Sequence, residues 1–370
     1  MAITLHGTVS DNTIALDRKT ATPIIINGDM QIAQRGTSTS SVSASGFYSV
    51  DRYEFFMAGS SAYTISQDTD VPTGYGFYKS YKIDVTTADT LSGTETIRFR
   101  QIIEGQNLNV LKYNTSSAET ITIAFWVKSN LTGNCVFRIN NPSASRHISK
   151  VFTINSANTW EKKVFTLAGD TAGSIPNTNA EGLRLEIGLG AGAEIRSGSQ
   201  PTTWQSSSTT ADQYAGQVLD ITTSTSNEFF ITGFQAEVGS FDSNSISPFQ
   251  FEDTCTSLAR CQRYYYVHAE GLNKTIGAGA NFSSSLLTCS VHFPTTMRSA
   301  PSLDQDTGTD YFRFSRSNNH DLFDSFTQLQ RPSVNGVQLD NNSQISGTQG
   351  DGGSVYTYNS GAKIAFESEL

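Results

Sequence analysis

Residues 119–129 read ETITIAFWVKS, and their alternation decides the fold. Side chains of an extended chain point to opposite faces with a period of two. Ile121, Ile123, Phe125 and Val127 therefore share one face, while Thr122, Ala124, Trp126 and Lys128 share the other. The first set reads as core. The same pattern recurs on both sides, in IIIN at 24–27, SVDRYEFFM at 49–57, FYKSYKIDV at 77–85, TIRFRQII at 96–103, CVFRIN at 135–140, WEKKVFTLA at 160–168, GLRLEIGL at 182–189 and NEFFITGFQAEV at 227–238. Gly, Asn, Ser and Asp turns separate these segments. So many strands with almost no helical periodicity predict an all-β protein whose main part, residues 23–252, is an antiparallel jelly-roll β-sandwich. No fixed-period repeat of the kind that builds a β-helix or propeller is visible.

Past Pro248 the pattern changes. DTCTSLARCQRYYYV offers Asp253 or Thr254 as an N-cap, with Leu258, Arg260 and Cys261 at helical spacing. This predicts a linker helix of two or three turns within 253–266, with Arg260, Arg263 and Tyr264 as a structural joint. A second strand series follows, including SLLTCSVHFP at 285–294, DYFRFSR at 310–316 and VNGVQL at 334–339, and predicts a smaller C-terminal β-sandwich over 267–370. Its polar stretches 318–324 and 340–353 read as exposed loops suited to adaptable contacts with sugars, or as solvated connectors. Residues 1–22 form a polar leader too short to make a core. It reads as an attachment segment that leans on a partner, and the chain as part of a homo-oligomer.

With 370 residues, two domains are expected. Hydrophobic residues are 37% and charged residues only 16%, the balance being Ser, Thr, Asn and Gly, while 22 Phe, 14 Tyr and 3 Trp supply material for β packing. That composition favours ordered β-structure over disorder. A net charge of −9 disfavours nucleic acid as a partner. No 18-residue apolar run occurs, and the first twenty residues lack the features of a signal peptide, so neither membrane insertion nor secretion is expected. Cys135, Cys255, Cys261 and Cys289 are scattered and read as free buried thiols, in keeping with assembly in a reducing cytoplasm.

Catalytic motifs are missing. His6, His147, His268, His292 and His320 are isolated, and no zinc spacing, nucleophile elbow, phosphate loop or dinucleotide fingerprint occurs. A non-enzymatic protein is expected, although a glycosidase needs only two facing carboxylates, which no motif excludes.

The segments NGDMQIAQRGT, VDRYEFF, DVPTGYGFYKSYKIDVTTAD, EGQNL, ITIAFWVKS, SANTWEKKVFTLAGDTAG, EGLRLEIGLGAG and EFFITGFQAEVGS together resemble the jelly-roll module of bacteriophage tail-fibre-like proteins. The resemblance spans residues 23–266. IIINGDM and FFITGFQAEV also resemble carbohydrate-binding modules with a galactose-binding-like sandwich, and SVHFPTTMRSAPSL with the terminal IAFESEL resembles fibre-tip domains more weakly. The resemblance implies a structural virion protein, a fibre or appendage subunit. It would be homotrimeric, joined to other virion proteins through residues 1–22, assembled in the host cytoplasm and attached to host-surface glycans. Two rivals are a tailspike-type glycan depolymerase, which would normally show a long β-helix, and a stand-alone carbohydrate-binding module.

Trp126, opposite the apolar set, could stack on a sugar ring or serve an oligomer interface equally well. For Trp160, core packing or an interface is favoured over a sugar. Arg98, Arg100, Arg138 and Arg184, on faces opposite apolar residues, could donate paired hydrogen bonds to sugar hydroxyls or carboxylates, or face solvent. As in related sugar-binding sandwiches, Asn27, Asp29 and Glu237 could converge on a structural Ca²⁺, with turn capping an equally good account of Asn27.

Overall fold

The computed structural model describes residues 22–317 and 319–370, so the expected attachment segment lies outside it except for Thr22. The chain divides into two compact units, one running to Thr254 and the other Cys255–Glu369.

The first unit is a two-sheet antiparallel sandwich. One sheet has six strands in the order Ser38–Val42, Ala62–Asp68, Ser80–Thr87, Glu228–Val238, Ile121–Ser129 and Glu161–Leu167. The other has seven, in the order Gln205–Ser206, Arg146–Ile154, Gly133–Asn141, Glu181–Ala191, Thr96–Glu104, Tyr53–Ala58 and Gly46–Phe47. Alternation puts Ile121, Ile123, Phe125 and Val127 into the core between the sheets, where they meet Phe99, Phe137, Ile139 and Ile187 from the second sheet. The aromatic content predicted to serve β packing does so. Tyr53 stacks on Phe99 with centroids 4.7 Å apart, and Phe234 lies edge-on to Phe125 at 5.9 Å. Each such side chain contributes about 1.5–3 kcal/mol by leaving water.

The strand Glu228–Val238 changes phase midway. Phe229 and Ile231 point into the core, and after a register shift between Thr232 and Gln235 the inward residues are Phe234, Ala236 and Val238. Gly233 makes the shift at φ 63°, in the left-handed region open to glycine.

IIIN at 24–27 is not a strand. Ile24, Ile25 and Ile26 are buried, but the Ile26 backbone pairs with a side chain: its N–H donates to Gln101 Oε1 at 2.9 Å, and its carbonyl accepts from Gln101 Nε2 at 2.8 Å. Asn27 then turns the chain at φ 58°.

The second unit contains the helix Thr254–Gln262 and two antiparallel sheets. A three-stranded sheet runs Tyr265–Glu270, Lys363–Glu367, Ser302–Asp306. A seven-stranded sheet runs Asn319–Phe323, Phe312–Arg316, Gly352–Thr357, Thr275–Ser283, Leu286–His292, Gly336–Asn341, Gln328–Ser333. Its own core includes Leu287, Val291, Phe312, Phe314, Phe323, Leu339 and Phe366. Within the expected loop 318–324, Asn319–Phe323 is a strand paired with Phe312–Arg316, because Phe323 is drawn into the core. The segment 342–351 is held by buried Arg316, which pairs with Asp321 at 2.6 Å and donates to the Ser346 carbonyl. None of the four cysteines forms a disulfide; Cys255 is exposed and the other three are buried.

Candidate functional site

The outer face of the six-stranded sheet carries an aromatic cleft. Ladder register sets Trp126 between Lys162 on the edge strand and Thr232 on the other neighbour. Because Phe125 and Val127 point inward, the Trp126 ring must stand outward, where it is only partly buried. A loop then brings Tyr75 over it, with ring centroids 4.3 Å apart. Gly74 and Gly76, at φ 88° and 83°, permit the two reversals that present Tyr75. The Thr232 hydroxyl donates to the Lys79 carbonyl at 2.7 Å and fastens the base of that loop to the sheet.

The far wall comes from the segment after the last strand of the sandwich. Gln235 Nε2 donates to the Ser247 carbonyl at 3.1 Å, which holds this segment against the sheet. Phe249 and Phe251 then pack on Phe77 at centroid distances of 5.1 and 5.2 Å, and on each other at 4.9 Å. The resulting cleft has a volume of about 290 Å³, with Gly233 in its lining. A methyl group on Gly233 would approach the Phe77 ring to 2.6 Å and Trp126 to 3.1 Å, so the close approach of these rings requires glycine there. Tyr75 is 56% and Phe251 47% exposed, unusual for large apolar rings and consistent with faces left open for a ligand.

Beside the cleft, Trp160 donates its indole N–H to Asp70 Oδ1 at 2.8 Å and lies 6.2 Å from the Phe230 ring. Lys128, itself paired with Asp70, sits 4.3 Å over Phe230. Burial acts to raise the Asp70 pKa, but bonds from Lys128 and Trp160 prevail and hold it below the usual carboxylate value. Trp204 packs edge-on against Tyr113 and donates to the Ala168 carbonyl at 2.7 Å. Both tryptophans have structural partners.

The arginines named from the sequence do not join Trp126. They lie on the other sheet, and three of them converge on Glu186, which has no exposed surface. Arg98, Arg100 and Arg138 approach its carboxylate at 3.6, 3.4 and 3.2 Å, and the Tyr214 hydroxyl donates to it at 3.1 Å. Arg100 also forks onto Glu54 at 2.6 and 2.9 Å, and Arg138 Nε donates to His147 Nδ1 at 2.9 Å. Arg184 pairs with Glu181 three residues away. Strand alternation placed the first three on an outward face correctly, but residues 193–221 cover that face, where Ile195 and Tyr214 are buried with Val136 and Ala191.

Of the three residues weighed for Ca²⁺, Asn27 is committed elsewhere. Its amide N–H₂ donates to the Ile32 and Asp51 carbonyls and its oxygen accepts from the Ile32 N–H, closing a turn. Asp29 and Glu237 do line one small cavity of about 20 Å³, together with Glu252. Burial, and after it the charge of Glu252, raise the Asp29 pKa against opposing backbone hydrogen bonds. With the Asn27 amide spent on that turn, the three residues do not present one ligand set to the ion, and no group of three His, Cys, Asp or Glu side chains placed to hold a metal occurs among the described residues.

Arg263 and Tyr264 are fixed within the second unit. The Arg298 N–H donates to the Arg263 carbonyl and the Ser368 N–H to the Tyr264 carbonyl, both at 2.8 Å, and Tyr264 is buried. Arg260, in the last turn of the helix, is also engaged.

Sequence reading found Trp126 but missed Tyr75, Phe77, Phe249, Phe251 and Lys162. A signal existed in GYGF and PFQF, aromatics set among glycine and proline outside any strand pattern, but nothing local indicates that the two segments meet.

No family model and no curated protein matches the chain. Among solved structures, it is similar to the enzymatically active domain of tailspike protein 4 from bacteriophage CBA120, at 12% identity and a TM-score of 0.31, covering 58% of this chain but only 21% of that one. It is similar also to a family 11 carbohydrate-binding module from Clostridium thermocellum in complex with a mixed-linked tetrasaccharide, at 8% identity and a TM-score of 0.28, covering 56% of this chain and 98% of that one. A xylan-binding domain from Paenibacillus barcinonensis is similar at 9% identity and a TM-score of 0.25, covering 60% of this chain and 97% of that one.

Proposed function

We propose that this protein binds glycans without catalysing their cleavage, through the aromatic cleft on the six-stranded sheet, as a fibre or appendage subunit of a phage virion. The observation that carries the glycan reading is the pair Trp126 and Tyr75, partly open rings 4.3 Å apart on a rigid sheet face. The apolar face of a pyranose stacks on such rings, and polar groups at the rim then choose among sugars. Gln235 and Lys162 are the polar side chains lining the cleft, and no carboxylate lines it. Glycoside hydrolysis normally needs two carboxyl groups about 5–9 Å apart, so this cleft fits binding better than a depolymerase.

The virion role is supported by the tail-fibre-like sequence segments. These supply parts that build the cleft: DVPTGYGFYKS holds Tyr75 and Phe77, ITIAFWVKS holds Trp126, and EFFITGFQAEV holds Gly233. In this reading the chain assembles as a homotrimer, contacts other virion proteins through residues 1–22 and meets host-surface glycans.

Glycan-array screening followed by calorimetry tests the binding. Trp126→Ala is expected to weaken affinity about tenfold or more, while melting changes little. If Trp126→Ala leaves glycan affinity intact and instead dissociates the oligomer in light scattering, the cleft is a subunit interface and the reading is wrong.

A further inference from the structure

Lys162 is the cation that lines the cleft, and it has no carboxylate or other hydrogen-bond partner among the described residues. Its neighbours Lys128 and Lys163 pair with Asp70 and Glu161 respectively. Lys162 lies across the ladder from Trp126 and also lines a second groove, of about 550 Å³, along the outer edge of its strand. Lys150 and Lys163 line that groove too. The acid beside them, Asp242, is occupied by the Ser245 hydroxyl and the N–H groups of Asn244 and Ser245. What distinguishes Lys162 from other exposed lysines is its place in a cleft lined by Tyr75, Phe77, Trp126, Phe249 and Phe251. Lys162 remains exposed at its tip, and partial burial of the side chain holds its pKa below the usual lysine value.

We propose that the saccharide held in the cleft carries an anionic group, a carboxylate or a sulfate ester, and that Lys162 pairs with it while Trp126 and Tyr75 stack on the ring. The inference rests on the glycan reading of the cleft and narrows its ligand class. A flexible ammonium recognises either anion as a point charge, and the open groove beyond Lys162 leaves room for a further charged residue of the polymer.

Calorimetry on the full chain at low salt would compare a hexuronate oligosaccharide with its methyl ester, and a sulfated galactan oligosaccharide with its desulfated form. Wild type is expected to prefer at least one charged ligand over its uncharged counterpart by about three- to tenfold; the preferred pair identifies the anion, and the preference fades in high salt. Lys162→Gln should bring the ratio to about one, and Lys162→Arg should restore it. Equal wild-type affinity for charged and uncharged forms would overturn the inference while leaving the glycan reading in place. So would a Lys162→Gln variant that keeps the preference, since the lysine then only guards an open sheet edge. Failure of wild type to bind any of the four would overturn the inference, and only the absence of binding across the whole glycan array would overturn the glycan reading with it. The wild-type comparison holds even if a variant does not fold.

Discussion

Glu186 combines complete burial with full charge, and its neighbours explain why. Burial alone would raise its pKa, but Arg98, Arg138 and Arg100 outweigh that and hold it down to about 2. A carboxylate whose pKa is lower folded than unfolded stabilises the fold above its unfolded value, here 4.5, and that stabilisation is lost as pH falls toward about 2. His147 acts higher on the scale. Burial first, and then Arg138, lower it from 6.5 to about 4. Unfolded chains take up that proton first, so stability present above pH 6.5 is lost as pH falls through the interval to about 4. Melting temperature followed against pH should therefore decline in two stages, and His147→Gln should flatten the upper one. At pH 7, Glu186→Gln should cost about 3–5 kcal/mol in urea unfolding, because it leaves buried guanidiniums short of a counterion. A cost below 1 kcal/mol would mean that water reaches the network.

At the scale of elements, the bulged strand Glu228–Val238 governs the cleft. If Gly233 continued the strand instead of bulging from it, alternation would send Phe234 outward and Gln235 into the core. Gly233→Ala combines a positive φ with a methyl group 2.6 Å from the Phe77 ring. It should destabilise the first unit by about 1–3 kcal/mol and weaken glycan binding by displacing Phe77 or Trp126. Near-wild-type stability together with unchanged affinity would show that the bulge is not what shapes the site. IIIN illustrates the limit of local pattern: in a segment of strand character, the backbone N–H and carbonyl of Ile26 are met by the Gln101 side chain, 75 positions away.

For the whole molecule, each unit has a separate core, Phe125 and its neighbours in one and Phe312 and its neighbours in the other. A fragment ending at Thr254 should therefore fold alone, unfold cooperatively and keep the glycan affinity of the full chain. If that fragment is unfolded by circular dichroism, the first core depends on residues beyond it. Among the described residues no helix is long and apolar enough to cross a membrane.

A two-residue period and turn chemistry are local properties of the chain, and they sufficed for the β-sandwich architecture, the helix near 254–262 and the inward set Ile121, Ile123, Phe125 and Val127. The sequence by itself also marked Trp126 as outward. Whether an outward residue reaches solvent was decided only by tertiary structure. Arg138 and Trp126 have the same strand grammar, yet Tyr214 of the segment 193–221 lies against the Arg138 guanidinium, while the segments carrying Tyr75 and Phe249 leave a cleft at Trp126. Those covering segments follow no period, and the places where they fold back are set by long-range bonds such as Thr232 to Lys79 and Gln235 to Ser247.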